Sequence, residues 1–211
     1  SEQKISVSTA GFNGAPTLPR MRDSFAAQTY PRKELIVLDG GSTDGTVEIL
    51  RVREAQLAYW ESQPDNGICH AWNKGLEHVT GEWVCFLGAD DYFWQEDSFE
   101  RLVAGLQAAP SETRVVYGQV AVLSPKGDLL RHEGRPWEQA KRDLDWSLPI
   151  PHPGLLHHAS LFQERGGFDE SFRIVGDYEL LLRELKTKAA HFVPNVVTVA
   201  FQHGGLSNSP R

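Results

Sequence analysis

Only two cysteines, Cys69 and Cys85, and a single methionine occur in the 211 residues. Two thiols in mixed or apolar settings lay out neither a disulfide framework nor a cysteine zinc site, and they suit a reducing compartment; both are expected as small buried side chains. Basic residues are in the minority, 21 Lys and Arg against 28 Asp and Glu, for a net charge of -7. With no basic stripe, a dedicated nucleic-acid surface is excluded, and a site for an anion has to recruit a metal or helix N-termini. No run approaches the ~20 apolar residues needed to span a bilayer. The opening SEQKISVSTAGF also lacks a basic segment followed by an apolar one. These absences predict a cytoplasmic protein and leave open a peripheral association with the inner face of a membrane. The length suits one large domain with a substantial core.

What is present is a series of apolar runs that end in acidic or glycine-rich clusters. Residues 4–9 alternate and are rich in β-branched side chains, then meet Gly11, Asn13, Gly14 and Pro16, which reads as a strand entering a loop. Leu18, Met21, Phe25 and Ala26 recur at helical spacing after Pro16. Residues 34–38 are apolar after the first, as in a strand covered on both faces, and Asp44 is placed to cap the helix that follows. Further strands are expected at 57–61, 83–87 and 115–123, the last returning as a hairpin along 129–132. Helices are expected around 71–79, over 97–108 and over 177–185. Residues 135–153, with Trp137, Trp146 and several prolines, read as a loop-rich cap, and 162–168 as a lead into the last helix. Strand alternating with helix is βαβ organisation and predicts an α/β fold around a mostly parallel sheet.

Two clusters carry the chemistry, LDGGSTDGT at 38–46 and FLGADD at 86–91. Strands that end side by side in carboxylates form one crevice at the carboxyl edge of the sheet, where open α/β sheets bind nucleotides. Asp39 either accepts hydrogen bonds from a base or sugar or serves as a turn acid, with Gly40, Gly41 and Gly45 allowing close approach or positive φ. Asp90 and Asp91 repel each other unless a cation or donors compensate them. A hard divalent ion, Mg²⁺ or Mn²⁺, held by a carboxylate and by substrate phosphates does so. Asp177 heads an apolar helix, either as a first-turn carboxylate on the helix dipole or as a general base on a rigid element. His203 is a candidate further metal ligand. His152, His157 and His158 lack an acidic or cysteine partner at zinc spacing, and no zinc site is assigned to them.

In AGFNGAPTL, the stretch from FAAQTYPRKELIVLDGGSTDGT, PDNGICHAWNKG, TGEWVCFLGADD, GGFDESF and GDYELLLR, the chain resembles the family 2 inverting glycosyltransferases of the GT-A fold, in order and over nearly its whole length. The resemblance implies one GT-A domain over 1–211, with a nucleotide-binding half at 1–110 and an acceptor-binding and catalytic-base half at 111–211. It implies a nucleotide-diphosphate sugar donor, a UDP-sugar foremost. Asp39 would contact the base, Ala10 and Phe12 would line the nucleotide pocket, and Asp65, with Gly67 after it, would help hold the nucleotide. Asp90 would lie on the ribose side, and Asp91, with His203, would bind Mn²⁺ or Mg²⁺. Trp72, Asn73 and Lys74 are further candidates to line the donor pocket. Asp177 matches the general base of a single displacement onto an acceptor hydroxyl. His152 and Trp146 are candidate contacts for a saccharide or lipid-linked saccharide acceptor in bacterial polysaccharide or glycolipid synthesis. Gly40, Gly88 and Gly176 depart from the pattern, standing where relatives often carry an acid.

Two rival functions share this architecture. A sugar nucleotidyltransferase ordinarily carries a glycine-rich basic loop after the first strand, yet AGFNGAPTL has no Lys or Arg before Arg20. A non-catalytic nucleotide- or sugar-binding domain would need Asp39 but not Asp91 and Asp177 together.

Overall fold

The computed structural model describes residues 3–203. Its first part alternates strand and helix: β1 (Ile5–Gly11), α1 (Leu18–Ala26), β2 (Lys33–Asp39), α2 (Thr46–Val52), β3 (Tyr59–Ser62), α3 (Ile68–Leu76) and β4 (Trp83–Gly88). There follow β5 (Tyr92–Phe93), α4 (Ser98–Gly105), β6 (Val115–Leu123), β7 (Leu129–Glu133) and the short α5 (Trp137–Ala140). The chain then runs through β8 (Leu156–His158), α6 (Ala159–Arg165), α7 (Gly176–Leu185) and the long β9 (His191–Gln202).

The strands form one sheet in the order β3-β2-β1-β4-β8-β6-β9-β5, with β7 paired to β6. β3, β2, β1 and β4 are parallel; β8 runs antiparallel to both β4 and β6, and β9 runs parallel to β6. β1, β2, β3, β4, β6 and β9 therefore share one direction, which makes the sheet mostly parallel, as expected. Successive side chains point to opposite faces of a strand. Val7, Leu35, Val37, Cys85 and Leu87 accordingly pack with Leu18, Met21 and Phe25 of α1 and with Phe99 and Leu102 of α4. Ile36, Leu38, Val84 and Phe86 pack on the other face with Trp72 of α3 and with Leu180 and Leu181 of α7. Both cysteines are free and buried in this core.

Several expectations shift. The third strand starts at Tyr59 because a 3-10 turn, Glu54–Gln56, intervenes and the Ala58 amide then binds the Leu35 carbonyl at 2.8 Å. The helix expected over 97–108 breaks after Gly105 into a 3-10 turn, Leu106–Ala108. Gly45, at φ 98°, is the residue that caps α2; Asp44 sits one place earlier and accepts from the Thr46 amide at 3.1 Å. The segment 135–153 is more ordered than a loop-rich cap, since Trp137, Ala140, Leu144 and Ile150 enter the second core.

Candidate functional site

The parallel register aligns the carboxyl ends of three strands in a row: Gly11 of β1 faces Asp39 of β2, and Ala10 faces Gly88 of β4. Asp39 is buried, and its Oδ2 accepts from the Ser42 amide at 2.9 Å and the Ser62 hydroxyl at 2.6 Å. Its Oδ1 accepts from the Ser42 hydroxyl. Asp39 thus anchors its own loop, and its carboxylate faces serine donors of the chain itself. Asn13 stitches that loop to the one after β1: its amide binds the Ser42 hydroxyl at 2.8 Å, and its Oδ1 accepts from the Thr43 amide at 3.0 Å. Beside them lies a water-sized, mostly apolar void lined by Leu18, Val37, Leu38, Asp39, Thr46 and Ala89. Phe12, just past β1, is half exposed, whereas Ala10 is buried in the strand. Asp65 accepts from the Gly67 amide at 2.9 Å and packs against Gly40, where a β-carbon would come within 3.1 Å of its Oδ2. A side chain at position 40 would start close enough to that oxygen that Asp65 would have to give way.

β4 delivers Asp90 and Asp91. The Gly88 amide donates to Asp91 Oδ2 at 2.9 Å, and a β-carbon at Gly88 would stand 2.8 Å from Asp90 Oδ1. Burial first, and the neighbouring Asp90 second, push the Asp91 carboxyl up to about 7. Arg20 of α1 partly offsets this; its guanidinium lies 4.1 Å over the Tyr92 ring and 3.3 Å from the Asp90 carbonyl. A carboxylate crowded by another and short of positive charge, with oxygen donors and an open glycine beside it, fits a hard divalent ion. The register Tyr92↔Ala200 between β5 and β9 brings Phe201, Gln202 and exposed His203 to the same edge of the sheet. Among the described residues no three His, Cys, Asp or Glu side chains gather as a complete metal cluster.

Asp177 lies in the first turn of α7, its side chain 27% exposed, and burial raises its carboxyl above the usual range. Its Oδ1 accepts from the Tyr178 amide at 2.8 Å, and its Oδ2 is 3.9 Å from His152 Nδ1. His152 is enclosed rather than open to an acceptor: its ring lies 5.2 Å from that of Trp72 and is stacked 6.1 Å from Phe86 of β4. The side chain expected to touch an acceptor is thus only 4% exposed. Trp146, by contrast, is 86% exposed. Asn73 and Lys74, candidates for the donor pocket, are both engaged within the chain. Asn73 clamps Phe168 through paired 2.8 Å bonds to its amide and carbonyl, and Lys74 pairs with Glu61 at 3.3 Å. Trp72 is buried. Sequence reading missed Arg20, Ser42, Ser62 and His157. A serine or a helix arginine has no signal of its own, whereas three histidines within seven residues were a signal, read for zinc and, at His152 alone, for the acceptor.

Comparison with known proteins identifies the family and the fold. The family model described as glycosyl transferase family 2 matches residues 6–164. A PGL/p-HBAD biosynthesis glycosyltransferase of Mycobacterium bovis is 32% identical over 97% of this chain and 79% of its own length. An uncharacterized glycosyltransferase of Mycobacterium tuberculosis is 34% identical over 87% of this chain and 69% of its own. TarS of S. aureus superposes with a TM-score of 0.77 at 17% identity over 97% of this chain, which spans 37% of the TarS chain. A mannosyltransferase of Pyrobaculum calidifontis, in complex with GDP-Man and Mn²⁺, superposes with a TM-score of 0.69 at 24% identity, over 95% of this chain and 57% of its own. With a sheet whose carboxyl edge gathers Asp39, Asp90 and Asp91 and a family model matched over most of the chain, this protein belongs to glycosyltransferase family 2 and is built on the GT-A fold.

Proposed function

We propose that the chain is a metal-dependent, inverting glycosyltransferase that moves a sugar from a nucleotide-diphosphate sugar, a UDP-sugar foremost, to an acceptor hydroxyl. The observation that carries this reading is the link between the base candidate and the donor edge: Asp177 faces His152, which stacks on Phe86 of β4, the strand that delivers Asp90 and Asp91. Division of labour follows the order of the chain, with residues 1–110 holding the donor and 111–211 supplying the base and the acceptor side. The nucleotide lies over the carboxyl ends of β1 and β2, beside Asp39 and Phe12, with Asp39 and Asp65 holding the loops there in place. Asp91, with His203 at the same edge, is the residue to hold Mn²⁺ or Mg²⁺, and Asp90 lies on the ribose side of the donor. A bound divalent ion supplies charge neutralisation for the departing diphosphate.

Asp177 takes the proton from the acceptor hydroxyl. The acceptor oxygen forms the new bond to the anomeric carbon as the bond to the diphosphate breaks, its electron pair leaving with the diphosphate. Attack from the side opposite the leaving group turns an α-linked donor into a β-linked product. Burial raises the proton affinity of Asp177, bringing it nearer the operating pH of a general base. Structural neighbours bound to UDP, UDP-GlcNAc and GDP-Man support a nucleotide-sugar donor. Bacterial polysaccharide or glycolipid synthesis is the setting proposed, and the mycobacterial relative named for PGL/p-HBAD biosynthesis supports a biosynthetic role of that kind.

Thermal unfolding with a panel of UDP, GDP, CMP and dTDP sugars, with and without Mn²⁺, tests the donor site, because a ligand selective for the folded state stabilises it by mass action. Metal-dependent stabilisation by one nucleotide family is expected, and donor turnover is expected to fall at least 100-fold in Asp177→Asn while donor stabilisation persists. Stabilisation by none of them sinks the proposal. Metal-independent stabilisation without turnover of any donor favours the binding-domain alternative.

A further inference from the structure

Behind Asp177 two buried histidines stand side by side, His152 and His157, their ring centroids 5.3 Å apart. Aromatic rings wall them in: Trp72 lies 5.2 Å from His152, and Phe86 and Phe162 lie 5.2 and 5.5 Å from His157. Each leaves its Nε2 without a hydrogen-bond partner. Burial holds both imidazoles neutral, with pKa values lowered to about 3, so each carries one N–H.

The neighbours decide where that proton sits, because the tautomer of a neutral imidazole follows the hydrogen bond available to each nitrogen. His157 Nδ1 lies 3.1 Å from the Val84 carbonyl, which only accepts; Nδ1 therefore carries the proton and Nε2 is bare. His152 turns Nδ1 toward Asp177 Oδ2 at 3.9 Å and Nε2 toward no partner. A carboxylate on one side and no acceptor on the other place the proton on Nδ1. Because His157 already has its proton on the far nitrogen, the pair shares none.

We propose that His152 is a positioning residue for Asp177, carrying its proton on Nδ1 and aiming it at Oδ2 so that the carboxylate stays ionised and oriented toward an acceptor hydroxyl. The proposal rests on the reading of Asp177 as the base. At 3.9 Å the contact is longer than a hydrogen bond. Catalytic contacts of a free enzyme commonly tighten in the substrate complex. An N–H directed at the ionised form favours that form and so opposes the effect of burial on Asp177. Among the described residues, the other groups found to act with Asp177 carry no positive charge. They are the Cys69 thiol of α3, held neutral by a pKa raised to about 11, and the Tyr178 amide on its own helix. Asp169, Glu170 and Glu179, which also act on Cys69, are acidic. His152 itself faces Asp177, His157 and the aromatic wall.

Nitrogen NMR of the wild-type protein reads the tautomer directly: the proposal requires a protonated Nδ1 and a bare Nε2 on His152, and a protonated Nε2 overturns it. In His152→Phe the acid limb of the kcat/KM profile, and the Asp177 carboxyl titration followed by carbon NMR, are expected to move up by about one pH unit, the size of shift that loss of one donor to a carboxylate produces. His152→Gln, which retains an N–H donor and covers the case in which the phenylalanine variant does not fold, is expected to restore most of that shift. If Asp177→Asn is inactive while His152→Phe leaves both titrations where they were, the positioning role falls and the base reading stands. Should Asp177→Asn keep its turnover, the base reading falls, and the tautomer and the Asp177 titration still decide whether His152 controls that carboxyl.

Discussion

At Gly176, immediately before the base candidate, the space a side chain would need is already taken: a β-carbon there would lie 2.2 Å from Cys69 Sγ. The departure from the acid often found at this position is therefore one half of a pair, the other half being a cysteine on α3. Gly176→Ala is expected to destabilise the fold by about 1–3 kcal/mol, the usual cost of overpacking. The double variant Cys69→Ala, Gly176→Ala is expected to recover most of it in a denaturant-unfolding cycle, since the next atom, Cys69 Cβ, is 3.8 Å away; additive losses would contradict the packing account. Asp91 makes a prediction of opposite sign. Its carboxyl is raised in the folded state to about 7, so its contribution to stability is full below the unfolded value and is lost as pH rises toward and through 7. Without metal, Asp91→Asn is expected to be more stable than the parent at pH 8, by about 1–3 kcal/mol, and to match it at pH 4. With Mn²⁺ and the preferred nucleotide the order is expected to reverse at pH 8. Thermal melts across both pH values check the two halves separately.

Among the elements, α7 matters most because it carries Asp177, and a buried ion network holds it to the sheet. Arg114, just ahead of β6, contacts Glu184 of α7 through Nε at 2.9 Å and Glu164 of α6 at 2.6 Å; Arg165 adds a second cation 2.9 Å from Glu184. Burial alone would raise the Glu184 carboxyl, but Arg114 and Arg165 together hold it below the ordinary value. A lowered folded value means that the stabilisation is present above the unfolded carboxylate range and is lost as pH falls through the folded value. Glu184→Gln leaves Arg114 buried without its countercharge and is expected to cost about 3–5 kcal/mol at pH 7. The gap to the parent should narrow below pH 4, as measured by chemical unfolding; a gap independent of pH would show that the charge of Glu184 is not what matters. The elements also differ in how far they were legible. β6 and α7 appear where periodicity placed them, because their patterns are local. β5 is two residues long, β8 is Leu-His-His held by pairing with β4 and β6, and β9 passes through Pro194 and through Asn195 at φ 62°. Those strands exist because of distant partners, which no window of sequence contains.

For the whole molecule, the net charge of -7 and the acidic edge of the sheet set the same requirement, that an anionic donor be met by imported positive charge. The alternation of strand and helix and the acids placed after apolar runs were legible in the chain itself, since burial on two faces demands continuous apolar strands and their loops gather at one edge. The family followed from motifs in order. Sequence alone determined the fold class and the family, and it singled out Asp39, Asp90, Asp91 and Asp177 as the candidate acids. Only the tertiary structure decided what each one faces: Asp39 locked by Ser42 and Ser62, Asp65 against Gly40, Cys69 filling the space beside Gly176, and His152 enclosed with one nitrogen toward Asp177. The physical reason is range. Apolar periodicity is written in neighbouring residues, whereas a hydrogen-bond partner, a close approach or the desolvation of a carboxyl arises between residues tens of positions apart, once the core has closed around them.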